Sequence, residues 1–201
     1  MLTNNAWDPA PLDNVWNPGL LSAWWYGGGG TSPLFVQPWW QQNVVPSSIA
    51  NYFSSTPGRA VPDVALDADP TTGMLVGQTQ TWSDGSTSCD TYRLGGTSLS
   101  CPLFAGMMAL ADQKAGKALG FANPALYAAA GTAAYRDIVD PANPMAAGRA
   151  DYNNGENAND GVTYSLRTLN FTGTLHTIKG YDEVTGVGTP NAQAWLDALG
   201  K

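Results

Sequence analysis

From Arg59 onward the chain alternates in polarity. The segments AVPDVALDA and GMLVGQTQTW place apolar and polar residues at alternate positions, the period of a strand whose two faces meet different surroundings. The intervening ADPTTG has turn composition, so the spacing predicts strand, turn, strand across residues 60–82. A tighter glycine turn, RLGGTS, then leads into LSCPLFAGMMALADQKAG, where Met107, Met108 and Leu110 leave the predicted helix almost no polar face. Such a helix is expected at the centre of a layered α/β structure. Asn123 and Pro124 open another helix as cap and first-turn residue, with Gly131 closing it; Thr189 and Pro190 repeat the device for a last helix ending at Gly200. Between Val139 and Thr177 the sequence turns polar and Asn/Gly-rich, which predicts an insertion holding one hairpin. Residues 1–58 carry WWYGGGG and QPWWQQ without a sustained period and read as loops and short irregular elements.

Composition narrows the class. A chain of 201 residues, 43% of them hydrophobic, is long enough to bury a core, and the reading is one domain or a large piece of one. Charged residues make up only 12% and the net charge is -7, so nine scattered basic residues supply no phosphate-binding surface and nucleic acid is excluded as a partner. No apolar run reaches the length of a membrane span. The first residues lack a basic, apolar leader, so either the protein is intracellular or the chain starts inside a longer precursor. Cys89 and Cys101 are compatible with a disulfide or with two buried thiols. Trp39 and Trp40 read as lids over a core in preference to a carbohydrate platform. Gly27 to Gly30 lack the strand and helix that a phosphate loop requires.

The strongest chemical signal is Gly95-Gly96-Thr97-Ser98, followed by Leu99-Ser100-Cys101-Pro102 and Ala105-Gly106. Glycines let the backbone turn sharply and let a peptide approach, and a helix starting there sets unpaired N–H groups beside the Ser98 hydroxyl. Those donors and the positive helix end suit the oxyanion of acyl transfer. Gly95, Gly96 and Thr97 are the expected substrate-binding residues. A plain helix cap would also account for Gly-Thr-Ser taken alone.

The longer pattern resembles the nucleophile motif of the subtilase superfamily, in which Gly-Thr-Ser is followed by Pro. A subtilisin-type enzyme needs a His before the nucleophile, whereas the only one, His176, follows Ser98 and reads as an ordinary loop or strand residue. The sedolisin (serine-carboxyl peptidase) branch fits further. Arg59-Ala60-Val61-Pro62-Asp63-Val64 and Asp67-Ala68-Asp69-Pro70, GGGGTSPLFVQPWWQ, Tyr135-Arg136-Asp137-Ile138, and Gly180-Tyr181-Asp182-Glu183-Val184-Thr185-Gly186 through Pro190 resemble its motifs in order, from about Gly27 to the end.

The resemblance implies an α/β, subtilisin-like parallel sheet with flanking helices, of which this chain is the C-terminal half: an irregular approach to residue 58, strands and nucleophile helix over 59–131, and a calcium-binding region with the last helix over 132–201. It implies an endopeptidase acting through an acyl-enzyme at acidic pH, with Ser98 as nucleophile. The Glu and Asp of the triad and the oxyanion Asp are expected upstream, in the N-terminal half of the same peptidase with its propeptide. Secretion and a protein or peptide substrate are further expectations. Asp63, Asp67 and Asp69 read as structural residues beside the site, and Asp84 and Asp90 as carboxylates of a polar turn region. Calcium is the implied cofactor, held by Asp137 and Asp182 with carbonyls of Ile138, Ile178 and Gly180. DYNNGENANDG, from Asp151, only mimics an EF-hand, because Gly155 stands at a ligand position and Glu156 where glycine is required. Two cysteines and one histidine exclude a structural zinc site. The rival readings are a secreted binding module or inactive pseudoenzyme, and a subtilisin-type peptidase completed by another chain.

Overall fold

The computed structural model describes residues 29–68, 73–139, 145–154, 157–169 and 177–201. Strand β1, Gly30–Val36, pairs antiparallel with β2, Gly58–Val61, through a bulge between Thr31 and Val36. A 3-10 turn, Trp39–Gln41, and a short helix α1, Ser47–Ala50, fill the connection. The stretch read as irregular thus holds short elements, as its Pro- and Gly-rich composition implies.

The strand pair of the middle region differs from the expected one. β2 pairs with β1, while β3, Met74–Thr81, pairs residue for residue with β4, Thr87–Leu94, around a turn at Trp82–Ser86. Two determinants select this register. Asp84 closes the turn by accepting from the Ser86 N–H and hydroxyl at 2.8 and 2.7 Å, and Gly85 takes the positive φ of 83° that the reversal needs. Asp90 therefore lies on a strand and not in the turn. Residues 69–72, the expected turn, lie outside the described residues.

Helix α2, Thr97–Ala115, follows directly and ends where Gly116 enters the left-handed region at φ 67°, its N–H and that of Lys117 returning to carbonyls of the last turn. α3, Asn123–Ala128, starts one residue earlier than expected, with Asn123 already helical and its side chain turned to Asp63. β5, Tyr135–Arg136, pairs with β8, Thr189–Pro190; the last helix, α4, therefore begins later, at Ala192, and runs to Leu199. The predicted insertion contains the hairpin of β6, Met145–Tyr152, and β7, Val162–Leu169.

The architecture mixes helices and strands, as expected for α/β. All four sheets among the described residues are two-stranded and antiparallel, so the subtilisin-like parallel sheet is not among them. The position of α2 also departs from expectation. Only Leu99, Ser100 and Ala111 of its residues are buried, and Leu110 is 51% exposed. Among the described residues α4 is the element that packs most along it, and Phe104, Met107 and Met108 are only partly buried against the core.

The core lies between the C-terminal part of α2, α3, α4 and the segments around β2 and Tyr181. Trp195, fully buried, sits edge-on to Phe104 at 5.8 Å and donates its indole N–H to the Tyr135 hydroxyl at 3.2 Å. Gln41 is also fully buried. Its amide donates to the Ala60 carbonyl at 2.8 Å and the Tyr127 hydroxyl at 2.7 Å, and accepts from the Ala60 N–H at 3.1 Å. Removing it strands the Ala60 N–H away from water and leaves the Arg59 guanidinium as donor to the Ala60 carbonyl. Gln41→Ala should cost about 3 kcal/mol in urea unfolding at unchanged m-value.

Candidate active site

A sharp backbone turn delivers Ser98. Gly96 adopts φ 80°, ψ 172° as the residue before α2, and its N–H is taken by the Ala68 carbonyl. Its carbonyl accepts from Leu99 at 2.9 Å and Ser100 at 3.3 Å. The Thr97 and Ser98 N–H groups have no acceptor among the described residues, which leaves two donors at the positive end of a helix of 19 residues. Ser98 is exposed and its hydroxyl has no protein partner among the described residues. It is not sealed away as a cap.

Of the residues expected to meet substrate, Gly95 and Gly96 are half-buried and Thr97 is exposed. Thr97 borders an open hollow of about 410 Å³ with Asp63, Val64, Cys101, Phe104, Asn123 and Leu126. Asp63 is not available as a base there. Its carboxylate receives both oxygens' worth of Arg59 contacts at 2.7 Å, the Tyr127 hydroxyl at 2.7 Å and the Asn123 amide at 3.1 Å. This supports its reading as a structural residue beside the site. Burial alone would lower the Arg59 pKa, but the charge of Asp63 together with Tyr127 and the hydrogen bonds to both raises it on balance.

The second constellation forms around residues 177–188. Pairing of β5 with β8 brings Asp137, one residue past β5, to this loop, where its carboxylate accepts from the Gly180 N–H at 2.9 Å. Asp182 is 1% exposed and receives N–H groups of Ile178, Val184 and Thr185 at 3.2, 2.9 and 2.6 Å, with the Thr185 hydroxyl at 3.1 Å. Burial nevertheless holds its carboxyl above the usual carboxylate range, against the lowering effect of these donors. Glu183 is raised too, by desolvation and by its neighbour Asp182. The structure therefore brings Asp137, Gly180, Ile178 and Asp182 into one loop cluster, with Ile138 beside Asp137. Among the described residues no three acidic, His or Cys side chains gather as a metal site. Asp182 fits an oxygen-rich hard cation in a different sense: a buried carboxylate with only dipolar partners is the group a cation would compensate, while Asp137 is exposed.

Cys89 on β4 and Cys101 on α2 are both free and exposed, so they form neither the disulfide nor the buried pair considered from sequence. His176, Asp69, Gly155 and Glu156 lie outside the described residues. Trp40 packs edge-on to Phe121 at 5.3 Å, as a lid would, whereas Trp39 remains 66% exposed. Sequence reasoning missed two buried polar residues. Ser100, two residues past Ser98, is fully buried and donates to the Asp67 carbonyl at 2.9 Å, with Leu66 at 3.3 Å. Gln41 is bound to Ala60 and Tyr127. Neither left a signal: Ser100 is one of several polar residues on α2, and Gln41 sits within QPWWQQ.

No family model matches the chain. Curated proteins do. Kumamolisin of Bacillus sp. (strain MN-32) is 35% identical over 189 residues, 93% of this chain. Sedolisin of Pseudomonas sp. (strain 101) is 36% identical over 123 residues, 58% of the chain. Tripeptidyl-peptidase 1 of Canis lupus familiaris is 30% identical over 184 residues, 86% of the chain. The chain spans 27%, 17% and 26% of the lengths of these relatives.

The Asp182 environment makes a pH prediction. Its carboxyl is raised on folding, so its contribution to stability is complete at low pH and is lost as pH rises from about 4 to the raised value. With chelator present, thermal melts should show the chain losing more stability over that range than Asp182→Asn. Calcium should remove the difference in the parent chain and leave Asp182→Asn unmoved. Melts indifferent to calcium would rule out the cation.

Proposed function

Because the chain belongs to the sedolisin family of peptidases, we propose that it is the C-terminal portion of a serine-carboxyl endopeptidase with Ser98 as nucleophile. The observation that carries the reading is an exposed serine hydroxyl at the start of a long helix with two unpartnered N–H groups beside it. In the reaction the Ser98 oxygen bonds to the scissile carbonyl carbon while a carboxylate takes its proton. The tetrahedral oxyanion is met by donors at the helix start. The C–N bond then breaks, the amine leaves with the proton, and water releases the acyl group by the same route.

The proton acceptor belongs to the upstream part of the peptidase. The only glutamates of this chain, Glu156 and Glu183, both follow Ser98, opposite to the family order, and Asp63 is saturated by its donors. The partly exposed apolar residues of α2, Leu110 among them, and the hollow beside Thr97 offer the upstream half a surface to pack on. That half would supply the Glu/Asp pair, the oxyanion Asp and the missing sheet. A carboxylate base works while ionised at acidic pH, and low charge content with net charge -7 is consistent with a secreted protein in such a medium. Asp137 and Asp182, with carbonyls of Ile138, Ile178 and Gly180, would hold calcium, which neutralises the buried carboxylate and orders the loop without touching the reacting bond. Among the described residues no helix is long and apolar enough to cross a membrane.

The 201-residue chain should be inactive alone. Joined to an upstream sedolisin half, it should hydrolyse a protein substrate at acidic pH, and Ser98→Ala should lower kcat by about three orders of magnitude or more. Hydrolysis that survives Ser98→Ala, or full activity from the isolated chain, would overturn the assignment.

A further inference from the structure

Segment 62–68 is held by hydrogen bonds at both ends. At one end the loop carrying Asp182 grips it. The Tyr181 hydroxyl donates to the Pro62 carbonyl at 2.9 Å, the Val187 N–H to the Asp63 carbonyl at 2.9 Å, and the Ala65 N–H to the Gly188 carbonyl at 3.2 Å. The approach is as close as backbone allows, since a Cβ on Gly186 would lie 2.3 Å from the Asp63 oxygen. At the other end the start of α2 hangs from the same segment. Ser100 gives its one hydroxyl proton to the Asp67 carbonyl, with the Leu66 carbonyl as a longer second acceptor, and Ala68 accepts the Gly96 N–H. Ser98 lies between these two anchors.

We propose that Ser100 is a positioning residue for Ser98, and that segment 62–68 is a strap through which order in the 177–188 loop reaches the nucleophile. The proposal rests on Ser98 being the nucleophile. Ser100 cannot serve simply as a helix former: Ala is the better helix residue, and a solvated hydroxyl would gain nothing from burial. Its hydroxyl is buried because it has acceptors outside the helix. With both anchors made, the turn at Gly96 and the direction of the first helical N–H groups follow the strap. If the loop shifts, Pro62 and Asp63 shift with it, and the carbonyls of Leu66, Asp67 and Ala68 carry the displacement to Gly96 and Ser100.

Amide hydrogen exchange on the 201-residue chain tests this. Ser100→Ala should speed exchange at Gly96, Leu99 and Ser100 by about fivefold, the worth of one buried hydrogen bond, and Ser100→Thr should restore the parent rates. Tyr181→Phe removes a single oxygen at the far end of the strap. It should speed exchange at the same three amides, and its effect there should shrink when Ser100 is already Ala. In the peptidase joined to its upstream half, Ser100→Ala should lower kcat about tenfold and leave KM unchanged. Exchange changes that stay within 177–188 and 62–63 after Tyr181→Phe would overturn the strap, and that variant decides the matter even where Ser100→Ala does not fold. Ser98→Ala abolishes hydrolysis without altering the exchange pattern, so failure of the nucleophile and failure of the strap are read separately.

Discussion

The carboxylate of Asp63 is the constraint on which the arrangement turns. A charge in a half-buried place is stable only when its lone pairs are filled, and here they are filled from three directions: the guanidinium of Arg59 on β2, the amide of Asn123 and the hydroxyl of Tyr127 on α3. Tyr127 is in turn tied to Gln41, whose amide closes on both backbone groups of Ala60. One anion thus sets the distance between β2, α3 and the 3-10 turn at Trp39. It also fixes the backbone of Pro62 and Asp63 on which the Asp182 loop rests.

A consequence is that stability and chemistry use different parts of α2. From its middle to its C-terminal end it is secured by α4, where Trp195 meets Phe104 and Lys114 pairs with Asp197. Its N-terminal turn buries Leu99 and Ser100 and is held by directional bonds from Gly96 and Ser100 to segment 62–68. Hydrogen bonds fix angles more closely than apolar contacts do, which is what a nucleophile and its oxyanion donors require. The exposed face of the same turn is left open to whatever approaches Ser98.

How much of this was legible in the sequence depended on whether local chemistry or distant packing decides each feature. The Gly-Gly-Thr-Ser turn, the helix that follows it and the hairpin of the insertion were legible, because glycine placement and motif spacing act over a few residues. The pairing of β2 with β1 was not. Alternation marks a strand but says nothing of its partner, and the residues that close the β3–β4 turn, Asp84 and Gly85, looked like ordinary polar loop. Burial of α2 was misread for the same reason: an apolar surface tells that something covers it, not which segment does so. Ser100 and Gln41 gave no local pattern, since each is explained only by acceptors more than fifteen residues away.

The two buried aspartates solve one electrostatic problem in opposite ways. Asp63 has a fixed cation in Arg59, so its environment is complete and its role is architectural. Asp182 has only N–H and hydroxyl dipoles around it among the described residues, and burial still outweighs them and holds its carboxyl raised. The loop that carries it is bonded to segment 62–68, from which Gly96 and Ser100 hang, so a change of charge at Asp182 would act on the same backbone that sets the start of α2.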